Sequence, residues 1–424
     1  MAAAYYSRGG EAGEALNRQI EEDFRNNKLK AIVATIKLGM GYDKGDIAFV
    51  IHYQMPSNIV SYYQQIGRAG RSIDKAYVFL MYGKEDEDIL NYFINTAFPT
   101  EEETEKLVQF IGEHDGVRLG QIQAALNVRK ARIDKALAFL VMDGFVRKEK
   151  STYYLTPKRF VYDREHYESV TATRRQEMEQ MKLLAKTQEC YSRYIVSCLD
   201  DRSAQDCGHC ACCQGKELLP SAVSEKYLYL AESYINKLTI PIEPRKMWVA
   251  SEVTRGGRIK FVNQPGFCVC RYGDPGYGEL VKRGKYSREK RFCDELVGKS
   301  AEMLKPFIKE HEITQVCVVP SLRSEITRDF AARLAQSLKL EFADLLEKTS
   351  SFQQKEMENS AHQCGNAFAS FGVRADASVS GNILLVDDVV DSRWTLTVCG
   401  YRLMEAGADR VYPFALADSS NRED

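Results

Sequence analysis

The chain has 424 residues, of which 44% are hydrophobic, so it is long enough for about three domains with cores of their own and is not wholly disordered. Its 58 Lys and Arg residues balance 59 Asp and Glu residues, which excludes attraction of the chain as a whole to a polyanion. No apolar run approaches the ~20 residues of a membrane-spanning helix, and the amino-terminal MAAAYYSRGG is not a signal peptide. We therefore expect a cytoplasmic protein whose 12 cysteines are thiols or metal ligands rather than disulfides.

The first hundred residues alternate between patterns typical of helices and of strands. Leu16, Ile20 and Phe24 are spaced four apart and mark the apolar face of the first helix. The predicted strands lie at 2–7, 31–35, 47–53 and 76–82, and the predicted helices lie at 14–27 and 59–67. Such alternation predicts a parallel α/β layer.

Beyond residue 100 the pattern changes three times. An acidic helix start leads through two or three short helices to a hairpin at 145–155, an order typical of a winged helix. A long charged helix at 163–189 then runs into a group of cysteines. The pattern between 217 and 300 predicts no particular fold, and the α/β alternation resumes at residue 301.

Arg68 and Arg71 are the first candidates for a chemical role. On a helix, two arginines three residues apart share a face and could both reach one polyphosphate. Taken alone, the pair fits an ordinary solvated helix face equally well. The surrounding residues favour the first interpretation. They read Ala34-Thr-Ile-Lys-Leu-Gly-Met-Gly-Tyr-Asp-Lys44, Phe49-Val-Ile-His-Tyr53 and Tyr62-Tyr-Gln-Gln-Ile-Gly-Arg-Ala-Gly-Arg71, and they closely resemble motifs V and VI of the RecQ family of superfamily 2 DNA helicases.

This resemblance covers residues 1 to about 95 and implies a RecA-like second motor lobe. It makes Arg71 the arginine finger and places Arg68 and Gln64 at the other positions that face ATP. It also implies that Asp43 helps to hold the ribose of the nucleotide, and that Thr35 touches the DNA backbone.

An arginine finger completes a nucleotide site but does not make one. Motors of this kind hold ATP and Mg²⁺ with a GxxxxGK[ST] loop and an acidic motif on a first lobe, and this sequence has neither. The run from Asp294 to Ser300 ends in GKS, but Cys293 stands where the first glycine is required and the run fits an amphipathic helix. We therefore expect the carboxyl-terminal part of an ATP-dependent 3′-5′ DNA helicase of repair or recombination, inactive without a first lobe.

Four cysteines have the spacing of a metal site. Cys190, Cys207, Cys210 and Cys213 follow the pattern C-x16-C-x2-C-x2-C, which can present four soft ligands to structural zinc. A disulfide or a redox pair is the alternative, and a reducing compartment disfavours it. RecQ helicases carry a zinc module with this cysteine spacing after the motor. Cys212 and His209 are competing ligands.

The predicted winged helix is locally basic. Residues 116–160 include ten Lys and Arg residues but only three acidic residues, a local excess that is typical of phosphate contact with DNA. A winged helix that binds protein is the alternative. The candidate DNA contacts are Arg129, Lys130, Arg132 and Lys135 on or near the recognition helix and Arg147 and Lys148 on the wing.

The run Ile383-Leu-Leu-Val-Asp-Asp-Val-Val-Asp-Ser-Arg-Trp-Thr395 is a buried strand that ends in carboxylates and a polar turn, which can bind ribose hydroxyls and a phosphate. It resembles the phosphoribosyl diphosphate motif of type I phosphoribosyltransferases, in particular the ComF-like branch. The resemblance implies that Asp387 and Asp388 bind the ribose and that the loop through Thr395 surrounds the 5′-phosphate. Arg393 and Trp394 replace the small residues expected there, so a retained regulatory or structural domain is the alternative to an active transferase.

These expectations describe an α/β multidomain protein that binds DNA, zinc and, with its missing lobe, ATP and Mg²⁺, and whose last domain resembles proteins that bind phosphoribosyl diphosphate. The two competing hypotheses are a non-catalytic DNA-binding or regulatory protein and a phosphoribosyltransferase with a DNA-localising region. The expected regions are a RecA-like lobe at 1–100, a winged helix at 101–163, a helical zinc module at 164–216, a connecting region at 217–300 and a phosphoribosyltransferase-like domain at 301–424.

Overall fold

The structure is a computed structural model, and it divides into two compact units. The first unit comprises residues 1–98 and 162–221, and the second comprises 99–161 and 222–424. None of the helices in the described part of the chain combines the length and the apolarity needed to cross a bilayer. The described residues are 1–38, 42–235, 239–251, 254–287, 290–349 and 357–420.

The first unit begins with two parallel strand pairs, each connected by a helix. β1 pairs with β2 and β3 pairs with β4, as expected for strands joined by helical crossovers. The elements are β1 (Ala2–Tyr5), α1 (Gly10–Arg25), β2 (Ala31–Ala34), β3 (Phe49–His52), α2 (Ile59–Ile66), β4 (Tyr77–Leu80) and α3 (Lys84–Asn95). All six predicted elements are therefore present and the strand pairing is parallel, although among the described residues the four strands form two separate pairs rather than one sheet.

The remainder of the first unit is helical. It contains α7 (Arg164–Lys186), α8 (Tyr191–Ser197) and the short α9 (Ala211–Gln214). Met178, Met181 and Leu184 recur every three residues along α7 and are buried in one cluster with Ile59 and Tyr62 of α2. The long helix thus packs on the helix that precedes the two arginines.

The second unit opens with a small α/β module, which we call the basic module (residues 99–161). Its elements are α4 (Glu101–Gly112), β5 (Val117–Arg118), α5 (Leu119–Ala125), α6 (Lys130–Met142), β6 (Val146–Glu149) and β7 (Thr152–Leu155). The strands form an antiparallel sheet in the order β5-β7-β6, and the predicted hairpin is present. Leu107, Ile122, Ile133 and Leu137 are almost fully buried between the helices and this sheet.

The rest of the second unit contains a six-stranded sheet in the order β13-β12-β16-β17-β11-β8. All neighbouring strands are parallel except β8, which runs antiparallel to β11. The elements are α10 (Glu225–Ile235), β8 (Ile240–Ile242), β9 (Met247–Ala250), β10 (Arg255–Arg258), β11 (Gly266–Arg271), α11 (Tyr277–Tyr286), α12 (Asp294–Glu310), β12 (Ile313–Val318), α13 (Ile326–Leu338), β13 (Glu341–Ala343), β14 (Leu346–Lys348), α14 (Ser360–Ser370), β15 (Phe371–Val373), β16 (Asn382–Val390), α15 (Trp394–Glu405) and β17 (Arg410–Asp418).

The central strand β16 explains why this sheet forms. Ile383 and Leu385 enter one buried cluster, and Leu384 and Val386 enter the cluster on the opposite face. A parallel strand covered on both faces is apolar without alternation, which is what the sequence shows here.

The sheet starts earlier in the chain than the pattern predicted. β8 and β11 precede residue 301 and belong to the same sheet as β16, so the boundary expected at 300/301 is wrong. The pattern failed because glycine and proline between the short strands hide their period. We call residues 240–420 the terminal domain. The GKS run lies inside α12, with the Ser300 side chain fully buried, as its helical pattern predicted.

Candidate functional site

The turn after α2, which we call the arginine turn (residues 67–71), places two of the predicted site residues. α2 ends at Ile66, and Gly70 adopts a left-handed φ of +74° that a glycine tolerates without strain. The Gly70 N–H donates to the Ile47 carbonyl at 3.0 Å, which draws the turn back toward β3. The expectation that Arg68 and Arg71 share a helix face is therefore wrong, because the helix ends before them.

The guanidinium of Arg71 is held by two contacts. Its Nη1 donates to Oδ1 of Asp43 at 2.6 Å, and its Nε donates to the Gly67 carbonyl at 3.1 Å. Both charged side chains stay open to solvent, with 44% of Arg71 and 77% of Asp43 exposed. A pair this exposed adds little to stability, so its main effect is to orient the guanidinium.

Arg68 lies beside this pair. Its Nη1 donates to the Tyr42 carbonyl at 3.4 Å, and Tyr42 is buried and stacked on Phe24 with a ring distance of 5.9 Å. Burial, and then the cation of Arg71, lowers the pKa of Arg68. The two guanidinium groups repel each other, so an anion bound between them would stabilise both.

The remaining residues of the predicted nucleotide and DNA contacts lie on neighbouring elements. Gln64 is exposed in the last turn of α2, before the arginine turn. Thr35 is exposed directly after β2, in the other strand pair, with its backbone N–H donating to the Tyr5 carbonyl at 3.1 Å. The structure therefore brings Arg68, Arg71 and Asp43 together and leaves Thr35 on a separate strand pair.

His52 is a residue that sequence reasoning missed. Its Nε2 lies 2.7 Å from Oε1 of Gln65, and its ring lies 4.9 Å from that of Tyr62, so the end of β3 is tied to α2. Burial lowers the pKa of His52. A lone histidine at the end of an apolar strand was the available signal. Through Gln65 and Tyr62, His52 supports α2, the helix that leads into the arginine turn.

The four predicted cysteines converge. Cys190 precedes α8 and Cys210 precedes α9, while Cys207 and Cys213 lie on either side of Cys210. Their four Sγ atoms all lie within 4.8 Å of one another. Sγ of Cys207 is 4.0 Å from that of Cys213, and Sγ of Cys210 is 4.0 Å from that of Cys190. We call these four residues the cysteine cluster.

The two competing ligands lie outside this arrangement. Sγ of Cys212 points to the Thr187 carbonyl at 3.9 Å, and His209 is exposed. Among the described residues, the cysteine cluster is the place where four side chains of metal-ligand type come close together.

Backbone amides favour the thiolate form within the cluster. The Cys207 N–H donates to Sγ of Cys190 at 3.2 Å, and the Cys210 N–H donates to Sγ of Cys207 at 3.3 Å. Burial raises the pKa of Cys207 and Cys210, but hydrogen bonds from backbone N–H groups and neighbouring side chains together outweigh it, and the pKa of both thiols is below the ordinary value. Burial, and then the thiol of Cys210, raises the pKa of Cys213 to about 12. Four converging sulfurs, two of them poised to ionise, fit a tetrahedral soft cation.

Four of the six DNA contacts predicted in the basic module are exposed. Arg129 and Lys130 lie at the start of α6, and Arg147 and Lys148 lie on β6. Arg147 pairs with Glu149 at 2.9 Å, and its guanidinium lies 5.1 Å from the ring centre of Tyr154. We call these four cations the basic face.

Arg132 has a different role from the one expected. Its Nε and Nη2 both donate to the carboxylate of Glu103, and only 21% of its side chain is exposed. Glu103 also caps α4, since its carboxylate accepts the Thr100 N–H at 2.9 Å. Burial raises the pKa of Glu103, but Arg132 and the hydrogen bonds from Thr100 together outweigh it, and the pKa of this carboxyl is below the ordinary value. Arg132 therefore joins α4 to α6, and Lys135 is half-buried on the same helix.

The predicted carboxylates of the terminal domain lie near the carboxyl end of β16. Asp388 forms an ion pair of 2.9 Å with Lys285 of α11. Burial, and then the charge of Asp388, raises the pKa of Asp387 to about 7. The strand continues through Val390, so both carboxylates lie within it rather than beyond it.

The loop that follows β16 is filled by its own side chains. Arg393 has a left-handed φ of +67°, and its Nη1 donates to the Glu243 carbonyl at 3.3 Å. Trp394 is fully buried, and the guanidinium of Arg245 lies 4.5 Å from its ring centre. Thr395 is half-buried in the first turn of α15. We call residues 391–395 the filled loop.

The segment that carries the arginine turn is similar to known helicases. Residues 8–73 match the helicase conserved C-terminal domain. The chain is 40% identical over 86 residues to the ATP-dependent DNA helicase RecQ of Haemophilus influenzae, covering 20% of this chain and 14% of that protein. It is 51% identical over 73 residues to R290 of Acanthamoeba polyphaga mimivirus, which carries an RNA-helicase name, covering 17% of this chain and 13% of R290. RecS of Bacillus subtilis, which carries a DNA-helicase name, is 26% identical over 214 residues, or 50% of this chain and 40% of RecS.

The chain spans only 6% to 40% of the length of the curated relatives that it matches. Solved helicase structures match this chain only weakly, with TM-scores of 0.18 to 0.19. The sequence matches support a RecQ-like helicase carboxyl-terminal part. The matched domain ends at residue 73, so the basic module and the terminal domain are interpreted from their own geometry.

Proposed function

We propose that this chain acts as the carboxyl-terminal part of an ATP-dependent 3′-5′ DNA helicase of RecQ type, which unwinds DNA in repair or recombination. The observation that carries the proposal is the convergence of Arg68 and Arg71 of the arginine turn with Asp43 of the preceding segment. That turn lies in the segment similar to helicase C-terminal domains. The 40% identity to a RecQ helicase favours this type of motor.

The chemistry assigned to this turn is charge stabilisation. During phosphoryl transfer, negative charge spreads over the oxygens of the transferred group, and a fixed guanidinium fork stabilises it. Arg71 has the required fixed orientation through Asp43 and Gly67, and Arg68 adds a second cation. A first lobe would supply the phosphate cradle and the ligands for Mg²⁺, which neutralises phosphate charge when bound. Gln64 would face the nucleotide, Asp43 the ribose and Thr35 the DNA backbone.

Reconstitution tests this proposal. The purified chain is mixed with a separately expressed first lobe of a RecQ-type helicase, and ATP hydrolysis is measured with single-stranded DNA and, in parallel, with RNA. We expect hydrolysis to depend on both polypeptides and to be stimulated by DNA. Arg71→Ala should lower kcat by a factor on the order of 10³, because an arginine finger contributes 10³ to 10⁵.

The matched control is Arg202→Ala, which removes an exposed arginine from the same unit outside the arginine turn. This variant should hydrolyse ATP at the wild-type rate. Equal rates of hydrolysis for Arg71→Ala and wild type would refute the role of Arg71. If RNA but not DNA stimulated hydrolysis, the proposed substrate would be RNA instead of DNA.

The cysteine cluster is proposed to hold structural zinc. Zinc would join the end of α7 to α8 and α9 by replacing the four thiol protons, since all four sulfurs are already close together. The metal content of the purified protein should be close to one zinc per chain, and Cys207→Ser should lose it. Cys212→Ser is the matched control and should keep the metal, because its sulfur points to Thr187. Wild-type protein that is folded and free of metal would show that the cluster is not a zinc site.

The basic module is proposed to bind duplex DNA as a winged helix. Arg129 and Lys130 would contact phosphates from the start of α6, and Arg147 and Lys148 would contact them from the hairpin. This proposal rests on the exposure of the basic face and on its aromatic neighbours Tyr153 and Tyr154. Arg132 is left out of the contact set because Glu103 engages it.

A further inference from the structure

Asn359 makes an unusual contact between the terminal domain and the basic module, which belong to the same compact unit. Its side chain is 4% exposed and caps the start of α14, with Oδ1 accepting the His362 N–H at 3.0 Å. The same side chain donates from Nδ2 to the carbonyls of Gln123 at 3.1 Å and Leu126 at 2.6 Å. One amide therefore caps the beginning of one helix and the end of another.

The helix end that it caps needs such a partner. The last carbonyls of a helix have no intrahelical donor, and when buried they must be satisfied by other groups. The neighbouring backbone adds a second bond, since the Glu358 N–H donates to Oδ1 of Asn127 at 2.8 Å. Ala124 of α5 lines a cavity of about 230 Å³ together with Ala361 and Gly365 of α14.

This contact lies next to the basic face. The bonded carbonyl of Leu126 is three residues before Arg129, which precedes the first residue of α6, Lys130. The Val128 N–H donates to the same Leu126 carbonyl at 2.9 Å. Holding the corner between α5 and α6 therefore holds the start of the helix that presents two of the four exposed cations.

The filled loop supports the same contact from inside the terminal domain. Nε1 of Trp394 donates to Oγ of Ser360 at 2.8 Å, and Ser360 directly follows Asn359. Trp394 is stacked on Trp248 with a ring distance of 6.0 Å and lies beneath Arg245. Its place is therefore determined by the core of the terminal domain, and it anchors the first residue of α14.

We propose that the terminal domain is a docking platform that orients the basic module for nucleic-acid binding. In this platform the filled loop supports the start of α14, and Asn359 holds the corner between α5 and α6. If the basic face is already oriented before binding, less conformational entropy is lost when DNA binds. The affinity is then higher without any additional phosphate contact. This inference rests on the proposed DNA binding by the basic module.

Asn359→Asp separates docking from capping in the full chain. A carboxylate still accepts the His362 N–H, but it has no hydrogens to donate to Gln123 and Leu126. Hydrogen exchange of the amides at 119–133 should become at least 10-fold faster. Affinity for a fluorescent DNA duplex, measured by anisotropy, should fall several-fold, with the dependence on salt unchanged because no phosphate contact is lost.

Arg129→Ala with Lys130→Ala is the contrasting variant. It removes two cations and leaves the contact of Asn359 in place, so its salt slope should fall by about two while exchange at 119–133 stays near wild type. Asn359→Ser, which also keeps a capping acceptor, provides a second test if Asn359→Asp does not fold.

The outcomes separate the two proposals. The platform proposal would be overturned if the amides at 119–133 of Asn359→Asp exchanged at the wild-type rate. It would also be overturned if they exchanged faster while the affinity for DNA stayed unchanged. If the wild-type chain binds no duplex, DNA binding by the basic face is wrong and the platform has no nucleic acid to orient. The exchange measurement then still reports whether the contact exists.

Discussion

The arginine turn and the filled loop both carry motifs predicted to meet phosphate groups, and they differ in what occupies the space around them. At the arginine turn, the side chains of Arg71 and its partner Asp43 are 44% and 77% exposed, and among the described residues the Arg71 guanidinium bonds to Asp43 and to the Gly67 carbonyl. In the filled loop, Trp394 is fully buried and the Arg393 guanidinium bonds to the Glu243 carbonyl. An open turn can still accept a ligand, whereas the filled loop is already packed by its own chain.

The second of these regions has a structural role where the sequence predicted a ligand site. The carboxylates Asp387 and Asp388 remain at the carboxyl end of their strand, as a ribose site requires. In the loop that follows them, the indole of Trp394 is fully buried and supports α14 through Ser360. The segment predicted to bind a phosphate thus packs against its own domain and holds the start of a helix.

The largest effect that would test this comparison is on stability. Trp394→Ala should lower the free energy of unfolding of the terminal domain by about 3 to 5 kcal/mol, because it removes a fully buried indole and leaves a cavity. Arg71→Ala should change stability by less than about 0.5 kcal/mol, because its contacts are on the surface. Urea unfolding measures both variants, followed by tryptophan fluorescence for Trp394→Ala and by circular dichroism for Arg71→Ala.

The chain has 2 tryptophans, Trp248 and Trp394, and both lie in the terminal domain, so fluorescence reports on that domain. Trp248 remains as the probe in Trp394→Ala, and circular dichroism follows the first unit. Trp394→Phe, which keeps a ring but loses the hydrogen bond to Ser360, should cost about 1 kcal/mol if the alanine variant does not fold. A Trp394→Ala protein as stable as wild type would mean that the loop is not held by packing.

A smaller effect should come from Asp387. Its pKa is raised from 3.8 to about 7 in the folded protein, so folding favours the protonated carboxyl. The stability that this preference contributes is complete below pH 3.8, falls as the pH rises and is lost above about pH 7. Asp387→Asn, which stays neutral, should therefore gain stability relative to wild type as the pH rises, by about 2 kcal/mol between pH 5 and pH 8.

The same fluorescence assay at several pH values checks this expectation. The charged groups near Asp387 are Asp388, Lys285 and Lys348, and the two lysines oppose the effect of burial on its pKa. Lys309→Ala, on another helix of the domain, is a control that should show no such divergence with pH. A constant difference between Asp387→Asn and wild type would indicate that Asp387 is ionised throughout this range.

Much of the local structure followed from sequence patterns. The spacing of Leu16, Ile20 and Phe24 predicted α1, because a helix repeats every 3.6 residues. The cysteine spacing predicted four sulfurs that do converge. The short C-x2-C-x2-C intervals keep three of them close, whereas Cys190 is brought to them by the fold, where it accepts the Cys207 N–H. The zinc itself remains a proposal.

Other features could not be read from local patterns. The end of α2 before Arg68 depends on a bond from Gly70 to Ile47, which is distant in sequence. Arg132 looked like its basic neighbours, but its partner Glu103 lies on another helix. The start of the terminal domain at β8 was hidden because its strand pairs with β11 across an irregular stretch.

The sequence by itself determined the helices and strands of the first hundred residues, the hairpin of the basic module, the set of clustered cysteines and the motif that resembles a helicase, because periodicity and motif spacing are properties of the chain alone. Only the tertiary structure decided that Arg71 is exposed and Trp394 buried, that Arg132 is engaged by Glu103, and that Asn359 joins two helix ends. Burial and hydrogen bonding at these positions depend on residues far away in the chain, which meet only after folding.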